Sequence, residues 1–142
     1  YHEALLDANL DFHPQWMAEA DFTIAGGYHA AKQMLGDPRS APTAIFCASD
    51  EMGFGAIQAA RDLGYRVPQD ISVIGMDGHP MGMFYGLSSI DQSTSEQGAK
   101  GANMLMDILG SDDEKQLKNF EQLNIWPIDL IVRSSTARRS AN

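Results

Sequence analysis

The stretch "GYRVPQDISVIGMDGHP", residues 64–80, decides how the chain is read. Ile71 to Met76 form an apolar run bounded by Pro68 and Gly78, which predicts a strand covered on both faces of a sheet. That strand runs directly into Asp77. In open α/β sheets the carboxyl ends of parallel strands diverge into a crevice where ligands bind, so an aspartate at this point is a candidate ligand group.

Strand and helix patterns alternate on either side. Upstream, "TAIFCAS" (43–49) predicts a second buried strand, followed by a helix over "EMGFGAIQAARDLG" (51–64) that Asp50 can cap and Gly64 can end. Before that, Asp21 and Thr23 offer cap chemistry for a helix through "IAGGYHAAKQML" (24–35), stopped by Gly36-Asp37-Pro38. "HEALLDANL" reads as a short helix ending at Asn9, and "QWMAEA" (15–20) alternates enough to predict a strand. Downstream come a loop rich in Gly, Met and aromatics (78–87), a helix over "SEQGAKGANMLMDILG" (95–110), a charged connection "SDDEKQLKNFEQ" (111–122) and a last strand, "IDLIVRSS" (128–135). The alternation argues for βαβ units and a parallel-sheet α/β fold.

The chain of 142 residues is 44% hydrophobic, enough for one domain with a real core. No run approaches the roughly 18 apolar residues of a membrane span. The opening "YHEALLDANL" has no basic region followed by an apolar core, so no signal peptide is expected. It also lacks an initiator methionine, which suggests a piece of a longer chain. The single cysteine, Cys47, sits in an apolar run and is expected to be buried, in a reducing cytoplasm. The formal charge of −9 and the lack of a basic stripe argue against nucleic-acid binding by this segment itself. Its one basic cluster, Arg133 with Arg138 and Arg139, lies in a polar tail and reads as a solvated terminus.

Enzyme signatures are absent: there is no Walker loop, no GxSxG elbow and no histidine pair at metal-ligand spacing, so no catalytic residue, metal or cofactor is expected. What remains is a set of polar residues at strand ends. Ser49 and Asp50 follow the second strand, Asp77 the next, and Gln92 lies in "SIDQS". A parallel sheet puts such ends on one edge, where side chains distant in sequence can converge on one small molecule. An ionised carboxylate there can accept hydroxyl hydrogen bonds from a polyol, each worth about 1.5–3 kcal/mol. Asp50 reads first as a helix cap and Asp77 as a ligand contact. Phe22 could lie against the apolar face of a sugar or base, or simply be exposed.

The segment "PTAIFCASDEMGFGAIQAARDLGYRVPQDISVIGMDG" resembles the effector-binding domain of the LacI/GalR family of bacterial transcription regulators, which carries PTA-I-F-x-x-N-D-x-M-A-x-G-A followed by G-x-x-V-P-x-D-I-S-V-I-G-F-D-D. The likeness extends from about Tyr1 to "LIVRSST" (130–136). It implies a type I periplasmic-binding-protein-like fold of two α/β subdomains with an effector between them. This chain would be the C-terminal subdomain, incomplete, plus one helix near residues 95–109 that packs on the N-terminal subdomain. A helix-turn-helix would precede it. The implied ligand residues are Phe22, Ser49, Asp77 and Gln92. Ser49 stands where the family carries asparagine and Gly78 where it carries a second aspartate, so the usual contacts cannot be carried over whole.

The implied function is the effector-sensing and dimerisation portion of a cytoplasmic regulator. It would bind a sugar or nucleoside-like effector, act as a homodimer, touch operator DNA only through the preceding domain and have no membrane partner. The rival is a periplasmic sugar-binding protein of an ABC transporter; a doubly wound enzyme is a more distant one. On the helix from Glu51 to Leu63, the stripe Gly53, Ala56, Ile57, Ala60 and Leu63 is expected to face the sheet, leaving Phe54, Gln58 and Arg61 outside it. With Met81, Met83, Phe84 and Tyr85 they could form a partner patch. The resemblance points to the same helix and loop, which implies an isologous interface through Phe54, Gln58, Met81, Phe84 and Tyr85.

Overall fold

A computed structural model describes residues 1–110 and 126–138. The sheet is built around β2 (Ser72–Met76), with β1 (Ala44–Phe46) and β3 (Ser88–Asp91) parallel on its two sides and β4 (Asp129–Ile131) antiparallel to β3, giving the order β1-β2-β3-β4. The helices are α1 (His2–Asp7), α2 (Ile24–Leu35), α3 (Asp50–Asp62), the short α4 (Gly82–Tyr85) and α5 (Thr94–Leu109). The parallel-dominated α/β fold expected from the alternation is therefore present, as part of a domain.

Two departures have simple causes. "QWMAEA" forms a single 3-10 turn at Pro14–Trp16 and then an extended segment with no sheet partner, because Pro14 starts the turn and Trp16 turns its indole N–H onto the Ser40 carbonyl at 2.6 Å. The expected final strand shortens to Asp129–Ile131; beyond it the tail is held by both side-chain and backbone hydrogen bonds, with Ser135 Oγ donating to Val73 O and Val73 N–H donating to Ser135 O. The charged connection 111–122 and Arg139 lie outside the described residues.

Burial alternates along β2, so this strand is covered fully on one face only, not on both as its apolar run suggested. Pairing puts Ile45 beside Val73, and these residues, with Cys47 and Leu87, form the core against α2 and α3. On the opposite face Phe46, Leu130 and Val132 remain 50–70% exposed among the described residues. Tight packing of two helices secures the covered side. Thr23 caps α2 by accepting the Gly26 N–H at 2.9 Å, and Ser49 caps α3 by accepting the Met52 N–H at 3.2 Å.

Helices α2 and α3 then meet backbone to backbone. A methyl at Gly55 would lie 2.0 Å from the Ile24 carbonyl oxygen, and one at Gly27 would lie 2.3 Å from that of Met52. Each glycine lowers helix propensity by about 1 kcal/mol, and the close approach is what it allows. Ahead of β2, Arg66 grips Asp70 through its side chain and amide, which holds the Asp70 carboxyl down at about 2. This exposed clasp is present at neutral pH and is lost only as the pH falls toward that value.

The stripe on α3 faces inward as its spacing predicts, and Gln58 and Arg61 are exposed. Phe54 is not: at 2% exposure it is core. The chain after β2 folds over it, stacking the Tyr85 ring at 4.4 Å and bringing the His79 ring edge-on at 5.7 Å. A helical wheel assumes cover from the sheet alone, and here α4 supplies a second cover.

Two outcomes test this packing. Gly55→Ala should lower the unfolding free energy by about 3 kcal/mol in urea titrations, because neither helix can retreat without uncovering Ile57 and Ala31. Burial, with the negative charge of Asp50 adding to it, pushes the Cys47 thiol up to about 12. Native protein at pH 8 should therefore leave Cys47 unmodified by an aromatic disulfide reagent, whereas urea-unfolded protein should react fully.

Candidate functional site

The carboxyl ends of β1, β2 and β3 share one edge because the three strands are parallel. The start of α2 lies at the same edge, since Ile24 packs against Gly55 in the first half of α3. The polar residues named from the sequence are thus brought to one side of the molecule, but they do different things there.

Asp77 leaves β2 with φ +118° and Gly78 follows at +67°, so two successive residues take positive φ and turn the chain sharply out of the sheet. The Asp77 N–H still donates to Ile90 O at 2.9 Å, while its carboxylate stands exposed and accepts from Gln92 Nε2 at 3.2 Å. Asp77 and Gln92, 15 positions apart, therefore form a pair. A shallow depression beside them is lined by Asp77, Gly78, His79, Asp91, Ser93 and Glu96, with Thr94 at the start of α5 on its rim.

Of the four predicted ligand residues only Asp77 lines this depression; Phe22, Ser49 and Gln92 do not. Ser49 is 5% exposed and its hydroxyl is occupied in capping α3, the role the sequence suggested for Asp50. Phe22 is 59% exposed with φ +63°, an unusual backbone for an aromatic residue, and stands free at the edge. Asp50, the first residue of α3, turns away from its own helix. Its carboxylate is 1% exposed and accepts the Ser89 hydroxyl and the His79 N–H, each at 2.6 Å. Ser89 Oγ in turn accepts the Gly78 N–H at 3.0 Å.

The residues proposed for a partner surface separate in the same way. Met81, Met83 and Phe84 are 44%, 66% and 76% exposed, Gln58 is exposed, Tyr85 is half-buried and Phe54 is buried. The contribution of Ser89 and Asp50 was missed in the sequence. The available signal was Gly75 in the middle of β2, since an interior strand glycine marks a close approach: a methyl there would meet Asp50 Oδ1 at 2.1 Å.

Chemically, the edge offers acceptors, a side-chain amide and backbone amides. Among the described residues no three His, Cys, Asp or Glu side chains are grouped to hold a metal ion. The site is suited to hydrogen-bonding a polar, uncharged or cationic small molecule.

A family model described as a periplasmic binding protein-like domain matches residues 1–136. The HTH-type transcriptional repressor PurR of Erwinia tasmaniensis is 36% identical over 137 residues, covering 95% of this chain and 38% of that protein. The same repressor from Serratia proteamaculans is 39% identical over 138 residues, with 95% and 38% covered. The chain thus spans about two fifths of the length of these relatives. Among solved structures, a regulatory protein of the LacI family from Chloroflexus aggregans superposes with a TM-score of 0.80 at 30% identity, covering 96% of this chain and 48% of the other. The CelR–cellobiose complex gives 0.74 at 28%, with 95% and 40% covered, and the dimeric Lac repressor 0.77 at 27%, with 98% and 48% covered. The chain belongs to the periplasmic binding protein-like domain family, within its LacI/GalR regulator branch.

Proposed function

We propose that this chain is the effector-sensing and dimerisation portion of a cytoplasmic transcriptional regulator and that it catalyses no reaction. The observation that carries the proposal is the Asp77–Gln92 pair at the strand-end edge, in a chain whose relatives include transcriptional repressors. The effector is a sugar or nucleoside-like molecule held by Asp77 and Gln92. Phe22 lies against its apolar face, and Ser49 contributes through the position it gives α3 more than through its engaged hydroxyl. Operator DNA is reached through a helix-turn-helix outside this chain. The relatives named above are regulators, which favours this reading over a periplasmic sugar-binding protein of a transporter.

Helix α5 belongs with the missing half of the cleft. It has no buried residue, and Leu105, Met106 and Leu109 are 55–73% exposed, an apolar stripe that needs a second subdomain to cover it. An effector bridging the two halves would change DNA affinity only by its differential affinity for their two arrangements. The homodimer pairs through Met81, Met83 and Phe84 on and beside α4, with Gln58 and Tyr85 at the margin. Phe54 acts from beneath, as the ring on which Tyr85 stacks.

Full-length protein should be stabilised in thermal melts by at least one of ribose, glucose, cellobiose, sucrose, adenosine or guanosine. A compound at about 100 times its Kd contributes about 2.7 kcal/mol; stabilisation by none of them would overturn the proposed effector class. Asp77→Ala should weaken binding of the stabilising compound at least tenfold, about 1.4 kcal/mol, with operator affinity unchanged. Met83→Glu combined with Phe84→Glu should shift the protein from dimer to monomer in sedimentation velocity, and a dimer that tolerates both charges places the interface elsewhere.

A further inference from the structure

We propose that Asp50 is the positioning residue of the effector loop: its buried carboxylate, with Ser89, sets the backbone of Gly78 and His79 and so aims Asp77. The inference rests on the effector role proposed for Asp77. An aspartate in the first turn of a helix ordinarily serves that helix, by capping its amides or meeting its dipole. In α3 the cap is already supplied by Ser49, and both hydrogen bonds of the Asp50 carboxylate leave the helix. One goes to the His79 N–H and the other to the Ser89 hydroxyl, each at 2.6 Å.

The partners lie where the chain has most need of them. Asp77 and Gly78 both hold positive φ, which an L-residue such as Asp77 adopts only when its surroundings impose it. The three amides across this turn are each taken up: Asp77 N–H by Ile90 O, Gly78 N–H by Ser89 Oγ and His79 N–H by Asp50. Ser89 works because its hydroxyl accepts from Gly78 while donating to Asp50, so the carboxylate orients both amides, one directly and one through the hydroxyl. Gly75 makes room for it, since any side chain there would displace Asp50 Oδ1. His79 extends the brace, its Nδ1 accepting the Met81 N–H at 3.0 Å, so that the start of α4 is fixed by the same anchor as the Asp77 turn.

The test is hydrogen exchange in the full-length protein, resolved over the segment 76–82, for Asp50→Asn and Ser89→Ala. Asparagine keeps the shape but presents a donor where one of two donors must be accepted; alanine removes only the hydroxyl. The Gly78 and His79 amides should both exchange at least tenfold faster in Asp50→Asn, and the Gly78 amide at least tenfold faster in Ser89→Ala, while the Val73 and Ile57 amides stay within twofold of the parent in each. Unchanged loop exchange, or loop and core amides accelerating together, would overturn the positioning role. If Asp50→Asn does not fold, Ser89→Ala decides by the same criterion. The readout needs no effector, so the two ideas fail separately: unaltered binding by Asp77→Ala removes the effector role, and unaltered exchange removes the brace.

Discussion

A carboxylate excluded from water has to be met by donors, because its desolvation costs several kcal/mol if it is left unpaired. Asp50 is such a group, and satisfying it constrains four elements at once. It stands at the head of α3, presses against the bare Gly75 of β2, takes the hydroxyl of Ser89 from β3 and the amide of His79 from the loop that follows β2. Charge-assisted hydrogen bonds of this kind contribute about 1.5–3 kcal/mol each. Loss of any partner would leave a buried charge short of a donor, so the register of β2 on β3 and the course of the Asp77 turn are tied to one another.

The helix pair on the covered face works on the same principle of close approach. Gly27 and Gly55 let α2 and α3 touch backbone to backbone, which brings the start of α2, and Phe22 just before it, level with the strand ends. Glycine in a helix interior is a poor local choice, and it is tolerated because the tertiary contact outweighs the lost propensity. The opposite face of the sheet and the stripe of α5 carry apolar residues that the described part of the chain does not cover.

At Phe54 and at the cap of α3 expectation and structure parted because of a partner remote in sequence. Phe54 lies off the stripe that faces the sheet, and the helical period correctly assigns it there, but Tyr85 and His79 close over it from the loop after β2. Ser49 and Asp50 are adjacent and both have cap chemistry; which one caps depends on where Ser89 sits, 39 positions beyond Asp50. Alternation in "QWMAEA" satisfied a strand pattern, yet a strand also needs a neighbour with free backbone groups, and none of the described strands offers one there.

Local order determined a good deal by itself. Apolar runs ending in polar residues, separated by helices with a capping residue before and a glycine after, specify parallel βαβ units, because period and punctuation are short-range properties of the chain. From that alone Asp77 and Gln92 could be placed at one edge; the resemblance of the quoted segment to a known family rested on its particular residues and not on the pattern of elements. The tertiary structure decided what no short window contains: that Asp77 and Gln92 pair directly, that Ser49 is engaged as a cap, that Phe54 is interior, and that a buried Asp50 organises the turn. These outcomes depend on which side chains meet once distant segments are packed. Hydrogen bonding and burial are settled by three-dimensional neighbours, whereas the pattern of elements is settled by the neighbours along the chain.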